Sequence, residues 1–370
     1  MALKDRLKLY EEVESYRGHP LIVYVTSIRE NAIALISGDA VPELLRQLHL
    51  LPEATEALDL ILVSVGGDGL VACQIVSVIR ERVKKLAVLV PYMAFSAATL
   101  IALGADEIVM HPHGHLGPTD PQIRSKRGSQ KEGSPPEIAF GAEDLVAFLR
   151  FAKTDVGLTD QAHLLEVFRQ FCQDVGTVPV GVAARSVQLT QSLGEKLLQS
   201  HMNSESEKRK ATSMVQQLNR QFFHHGYRLC RTEAQRIGLK VAKDDPRIQT
   251  LMWSIWTDLS EEMNTRKPFV PLSELDPTQL EALFQPVPYI QIPSNTPPQI
   301  AQQVWQNVLQ QMVVVNVSAA QYSVLAAVME STRYCSHFIT SGKILASRTH
   351  DLQVKVAAAA TDVGWRTVNP

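Results

Sequence analysis

Residues 58–69 read LDLILVSVGGDG, and residues 86–110 read LAVLVPYMAFSAATLIALGADEIVM. These stretches contain three near-continuous apolar runs of strand length: Leu58–Val65, Leu86–Val90 and Glu107–Met110. The helical pattern Leu70–Lys84 separates the first two runs, and the shorter pattern Ser96–Gly104 separates the last two. Apolar strands that alternate with helices are typical of a parallel sheet covered on both faces. The sequence therefore predicts an α/β fold.

The remaining sequence divides into an N-terminal part, a helical insertion and a C-terminal part. The helical pattern Leu3–Tyr16 and the apolar strand Leu21–Val25 precede the alternating core. From Ala142 to Trp256 nearly every segment has helical periodicity, and the Pro-rich stretch Pro286–Pro298 marks a boundary. We predict a first domain over residues 1–265. Residues 266–370 mix one helix with short alternating segments, which predicts a small α/β appendage.

Composition and charge exclude several classes of protein. A net charge of −2 and a pI near 6.6 do not suggest the basic surface that nucleic-acid binding requires. The apolar runs are too short to span a bilayer, and the N-terminus lacks an apolar signal core. Four cysteines without a CxxC pair argue against a zinc site and against a disulfide framework. We expect a cytoplasmic protein with reduced thiols, no nucleic-acid partner and no membrane span.

Two short turns have the residue types that a serine hydrolase needs. The turn Ser64–Gly69 contains Gly residues whose backbone amides could approach a substrate oxygen without interference from a side chain. The turn Met93–Thr99 places Ser96 at the start of a helix, where free amides favour an anion. Ser is also a preferred helix N-cap, and a Gly-rich turn commonly joins a strand to a helix. The residues alone therefore leave a catalytic and a structural interpretation open.

Longer strings around these turns resemble a known family. Ser96–Met110, followed by Leu116–Gln122, closely resembles the serine dehydrogenase proteinase family, which lies within the Clp protease, signal peptide peptidase A and crotonase superfamily. His225–Leu239 is similar to a later motif of that family. The resemblance implies a Clp/crotonase-like parallel sheet built from repeated ββα units. No cofactor is expected, because the sequence has no GxGxxG fingerprint with a ribose-binding acid downstream.

The resemblance also implies roles for residues in both turns. Ser96 is expected to be the nucleophile, and the amides of Gly67 and Ala97 are expected to form the oxyanion hole. The implied substrate is a polypeptide. A homo-oligomer is expected as well, because the resembled families assemble as rings or face-to-face dimers and the helices after Ala142 exceed what one sheet face can cover.

The general base is where this sequence departs from its relatives. Signal peptide peptidase A-like enzymes use a lysine, but the matching position here is Glu137. Clp proteases use a histidine, and the matching position here is Thr119 or Asp120. His225 falls near the place where Clp proteases have their acid. We therefore predict an exchanged triad in which His225 is the base and Asp120 orients it, because geometry and not chain order defines a triad. Lys153 is the alternative base.

Other interpretations also remain. His111, His113 and His115 alternate in a way that could direct them at one metal ion, but no carboxylate or Cys lies at ligand spacing, so we expect no metal site. A crotonase-like acyl-CoA enzyme would use the same oxyanion geometry without a nucleophile. A degenerate peptidase scaffold that binds partners is the non-enzymatic alternative, since no base is unambiguous.

Overall fold

The computed structural model describes residues 3–126, 137–220, 224–285, 291–311 and 314–369. The α-helices in these ranges are α1 (Leu3–Arg17), α2 (Ala40–His49), α3 (Gly69–Arg82), α4 (Ala97–Leu103), α5 (Ala142–Thr154), α6 (Gln161–Val175), α7 (Thr177–Gln199), α8 (Glu205–Arg220), α9 (Arg231–Ile237), α10 (Pro246–Glu262), α11 (Pro277–Leu283) and α12 (Pro298–Gln311). The strands are β1 (Leu21–Thr26), β2 (Ala57–Val63), β3 (Lys85–Val90), β4 (Met93–Ala94), β5 (Glu107–Met110), β6 (His115–Leu116), β7 (Gln122–Lys126), β8 (Glu137–Gly141), β9 (Val315–Asn316), β10 (Ala320–Glu330), β11 (Cys335–Arg348) and β12 (Val354–Thr367).

The central sheet has the strand order β12-β11-β10-β1-β2-β3-β5, and β9 pairs with β11. Strands β1, β2, β3 and β5 run parallel to one another. Alternate residues of these strands face two separate apolar clusters, so the parallel part of the sheet is buried on both faces. Helices α2, α3, α4, α7 and α8 contribute to one cluster, and α1 and α10 contribute to the other. The predicted α/β fold class with a covered parallel sheet is confirmed.

A second set of short strands follows the parallel strands and produces the repeated ββα pattern. Ile36 follows β1 and forms a parallel bridge with Gly67, and Ser64, after β2, forms one with Ala94 in β4. Strand β4 in turn pairs in parallel with β6. Each of the three helices α2, α3 and α4 begins just after one of these bridged segments. The segments that precede the helices therefore lie side by side.

The C-terminal part contains helices and strands, as predicted, but its strands continue the central sheet. Strand β10 pairs antiparallel with β1, from Val23 opposite Glu330 to Thr26 opposite Ala327. Strands β11 and β12 have 14 residues each, much longer than the short segments that the sequence indicated. Neither strand contains a continuous run of large apolar residues or a regular alternation along its whole length, so the sequence pattern does not indicate this length. The domain boundary at residues 265/266 stays a prediction.

None of the helices in the described ranges combines the length and the apolar composition that crossing a bilayer would take. The longest of them, α7, has 23 residues and lies against α3 and α4 over the parallel sheet.

A buried ionic cluster joins the first helix to the last strands. The Arg6 guanidinium is fully buried and donates two hydrogen bonds to Glu330, at 3.0 and 2.8 Å, and a third to Asp258. The Tyr10 hydroxyl also donates to Glu330, and His337 Nε2 lies 2.6 Å from it. Burial raises the pKa of Glu330, but the hydrogen bonds from His337 and Arg6 outweigh it and hold the pKa at about 2. The cluster connects α1, α10, β10 and β11.

We expect Glu330→Gln to lower the free energy of unfolding by about 3 kcal/mol, because it removes a buried charge that Arg6 requires. The matched control is Glu262→Gln, which removes a carboxylate that also contacts Arg6 but whose side chain is 37% exposed. Urea denaturation at pH 7 compares the two variants. Equal losses from both substitutions would contradict the structure.

The stability difference between the parent protein and Glu330→Gln should depend on pH, and the pKa of Glu330 determines the direction. The pKa of Glu330 in the folded chain, about 2, lies below its ordinary value of 4.5. Its stabilising contribution is therefore complete above pH 4.5 and is lost as the pH falls toward 2. The stability difference between the parent protein and Glu330→Gln should shrink when unfolding is measured at pH 3 instead of pH 6.

Candidate active site

The two turns predicted to carry the site are in direct contact. A Cβ atom on Gly66 would lie 2.7 Å from the Ser96 Cβ and 2.8 Å from the Phe95 carbonyl oxygen, so no side chain fits there. Gly66 also has a φ of 115°, which favours glycine. Two backbone hydrogen bonds of 3.0 Å hold the turns together, from Ser64 N–H to the Met93 oxygen and from Phe95 N–H to the Ser64 oxygen.

Ser96 has an unusual backbone conformation at the start of α4. Its φ of 54° and ψ of −115° lie in a region that non-glycine residues rarely adopt. Such strain costs on the order of 1–3 kcal/mol and clusters at active sites. The side chain is half-buried, and within the described residues its hydroxyl makes no hydrogen bond. The hydroxyl is therefore available to a bound molecule.

Two backbone amides beside Ser96 also lack an acceptor in the described part of the chain: those of Gly67 and Ala97. Ile36 bonds to the residues on either side of Gly67, accepting from the Asp68 N–H at 2.9 Å and donating to the Gly66 oxygen at 2.8 Å. The Gly67 amide therefore points away from Ile36. A Cβ on Gly67 would overlap the Ile36 backbone, so this position also requires glycine.

The structure brings His225 and Asp120 together. His225 Nδ1 lies 2.9 Å from Asp120 Oδ1, and the Gln122 side chain donates to Asp120 Oδ2 at 2.9 Å. The Asp120 side chain is only 12% exposed, whereas the His225 side chain is 31% exposed. Within the described residues, His225 Nε2 has no hydrogen-bond partner. The pairing has the geometry expected of a base and its orienting acid, and the catalytic roles of both residues stay predictions.

No hydrogen bond joins Ser96 to His225 within the described ranges. The segments that carry the two residues both pair with the short strand β6. Strand β4, two residues before Ser96, pairs with β6, and Leu116 at the end of β6 exchanges two backbone hydrogen bonds, of 3.0 and 2.8 Å, with Leu229. Catalytic hydrogen bonds are often long in a free enzyme and shorten when substrate binds.

The alternative base predicted from the sequence is Lys153. Lys153 is exposed in the last turn of α5. It has no hydrogen bond or ion pair among the described residues. The side chain of Glu137 lies outside the described residues.

Two of the three histidines of the HPHGH segment pack against each other, with ring centroids 5.0 Å apart, and against one tryptophan. The His111 ring stacks on Trp253 at 4.8 Å, and the His113 ring meets the same indole edge-on at 5.2 Å. Burial lowers the pKa of His111 and also that of His115, which favours their neutral forms. Within the described residues, no group of three or more His, Cys, Asp or Glu side chains could hold a metal ion.

Three positioning residues were not assigned a role from the sequence. Buried Ser64 Oγ accepts from the Thr26 hydroxyl at 2.8 Å and from the Gly66 N–H at 3.0 Å, so it fixes the Gly turn. Buried Thr99 Oγ1 lies 2.7 Å from the Ala94 oxygen and accepts from the Gly117 N–H at 3.1 Å. Thr99 therefore fixes the loop that leads to Asp120.

The third positioning residue, Asn219, is 6% exposed and accepts from the Thr119 hydroxyl, next to Asp120. Its Nδ2 has no hydrogen-bond partner among the residues that the structure describes. Ser64 and Thr99 could have been found from their places in the two turns. No local sequence pattern identifies Asn219, because Thr119, which donates a hydrogen bond to it, is 100 residues away in the sequence.

Comparison with known families supports the resemblance found in the sequence. Residues 4–129 match the family model of the ClpP-like SDH-type serine proteinases. The match confirms the predicted resemblance over this stretch, which contains Ser96, Gly67, Ala97 and Asp120. His225 lies beyond the matched residues.

Two curated relatives, both uncharacterized proteins of Methanocaldococcus jannaschii, align with part of the chain. MJ1495 is 35% identical over 129 residues, and MJ0137 is 34% identical over 126 residues. The alignments cover 33% and 32% of this chain, and 43% of each relative. The chain therefore matches less than half the length of either relative.

Two solved structures of the 1510-N membrane-bound stomatin-specific protease also align with the fold. A serine-to-alanine mutant has a TM-score of 0.36 and 17% identity, with 63% of this chain and 84% of that chain covered. A lysine-to-alanine mutant in complex with a substrate peptide has a TM-score of 0.35 and 20% identity, with coverages of 62% and 78%.

We expect Gly66→Ala to abolish labelling of Ser96 by a fluorophosphonate and to destabilise the fold by about 1–3 kcal/mol, because the added methyl group displaces the Ser96 turn. The matched control is Gly181→Ala in α7, where a Cβ would meet no atom within 4 Å. This control should keep labelling and gain about 0.5–1 kcal/mol, since alanine favours a helix. Thermal unfolding and mass spectrometry of the labelled protein measure both effects. Normal labelling of Gly66→Ala would show that the contact does not shape the site.

Proposed function

We propose that the chain is a serine peptidase that cleaves polypeptides through an acyl-enzyme on Ser96. The strongest support is the close grouping of an unbonded, half-exposed serine hydroxyl with two backbone amides that have no acceptor in the described part of the chain. A tetrahedral intermediate needs these two features together, a nucleophile and two donors for its oxyanion.

In the proposed reaction, Ser96 Oγ attacks the carbonyl carbon of the scissile peptide while His225 Nε2 accepts the hydroxyl proton. The carbonyl oxygen becomes an oxyanion that the amides of Gly67 and Ala97 stabilise. The C–N bond then breaks, and the leaving amine takes the proton from His225. A water molecule, deprotonated by His225, hydrolyses the resulting ester and restores the Ser96 hydroxyl.

The contact with Asp120 supports the proposed role of His225 as the base. An ionised carboxylate accepts hydrogen bonds and does not donate them, so we propose that Nδ1 donates to Asp120 Oδ1 and leaves Nε2 to take the Ser96 proton. Asp120 is nearly buried and is held by Gln122, which limits its movement. A fixed carboxylate in this place would stabilise the imidazolium that forms during attack.

We expect Ser96→Ala to lower peptide hydrolysis by roughly 10³-fold or more with nearly unchanged thermal stability, since it removes the nucleophile and keeps the Cβ contacts. Ser96→Gly should be equally inactive but more stable by about 1 kcal/mol, because glycine tolerates the positive φ. Hydrolysis of casein and calorimetry of all three proteins provide the measurements. A Ser96→Ala protein with the parent's activity would refute the nucleophile.

The base is tested by a matched set of variants: His225→Ala, Asp120→Asn and Lys153→Ala. His225→Ala should be nearly as damaging as Ser96→Ala, Asp120→Asn somewhat less so, and Lys153→Ala should be harmless. Loss of activity in Lys153→Ala, together with full activity in His225→Ala, would instead indicate a Ser–Lys dyad.

A further inference from the structure

Strand β12 forms one edge of the central sheet. It has 14 residues and pairs along one side with β11, while no described strand pairs with its other side. At about 3.4 Å per residue the free edge is about 48 Å long. The outward-facing N–H and C=O groups of such an edge form a template for another strand.

The middle of β12 is also uncovered on both faces of the sheet. Every side chain from Ala357 to Val363 is exposed, and the strand contains no proline. Natural proteins usually shorten or cover an edge of this length to prevent association. A long edge that is open on its side and on both faces therefore indicates a surface that another chain covers.

We propose that β12 pairs antiparallel with β12 of a second copy of this chain, so that the sheet continues across a two-fold axis. Residues that lie opposite each other in an antiparallel pair point to the same face of the sheet. A two-fold axis perpendicular to the sheet therefore places one residue of the strand opposite the same residue of the second copy. With the axis at Ala358, Ala357 lies opposite Ala359 of the second copy and Val356 lies opposite Ala360. Thr361 is the extra residue of a β-bulge in the pairing with β11, so the pairing skips it.

In this register, residues of opposite charge on the two copies of β12 lie opposite each other. Beyond the bulge, Lys355 lies opposite Asp362 of the second copy, and the two-fold axis repeats the pair on the other side. Lys355 makes no ion pair among the described residues, whereas Asp362 pairs with Arg366 of its own strand. Cross-strand pairs of opposite charge stabilise a sheet, and like charges in the same place destabilise it. A second copy of this chain therefore fits the edge, because each β12 strand supplies one lysine and one aspartate to the two cross-strand pairs.

The test is a charge swap read by sedimentation equilibrium at micromolar concentration. The parent protein should be a dimer. Lys355→Asp alone places carboxylates opposite each other twice, and Asp362→Lys alone does the same with ammonium groups. Each variant alone should raise the dissociation constant at least about tenfold, which corresponds to 1.4 kcal/mol. An equimolar mixture of the two variants should dimerise again, because both pairs in the mixed dimer have opposite charges.

Lys85→Asp is the matched control, since it makes the same charge change at an exposed residue of the inner strand β3 and should leave the dimer intact. Recovery in the mixture also excludes misfolding, because an unfolded variant could not be rescued by mixing. A monomeric parent protein, a dimer unaffected by either single variant, or a mixture no more associated than its components would each overturn the proposal. The result does not depend on peptidase activity.

Discussion

Gly66 brings the two turns of the site within contact distance, since any larger residue there would displace Ser96 by its Cβ. Next to this contact lie the strained backbone of Ser96 and the amides of Gly67 and Ala97, which have no acceptor among the described residues. The short strands that precede α3 and α4 supply this contact, because their pairing sets the two turns side by side. Strand pairing alone therefore sets the relative position of the two backbone turns of the site.

The side chains of the site come from a second layer of structure. Asp120 lies in the loop after β6, and His225 lies before α9, so the two enter from segments far apart in the sequence. Thr99 anchors the first of these loops to α4, and Asn219 holds the neighbouring Thr119. Loop positions vary more than sheet positions, which is consistent with the proposed exchange of base and acid between His225 and Asp120.

The sequence predicts the parallel half of this fold well and the antiparallel half poorly. Buried strands such as β2 and β3 are continuous apolar runs, whereas β12 is an alanine-rich exposed strand with no comparable pattern. Ser96 and the Gly turn were found because they follow strands directly. The pairing of His225 with Asp120 came from family resemblance, since periodicity cannot relate residues 105 positions apart.

The ionic cluster around Arg6 has a consequence for biosynthesis. Arg6 and its partner Glu330 are 324 residues apart, and strand β1 receives its neighbour β10 from the same distant region. During translation, one edge of β1 stays unpaired, and Arg6 lacks its two hydrogen bonds to Glu330, until residue 330 has left the ribosome. Such non-local closure slows folding and leaves apolar strand surface exposed to aggregation in the meantime.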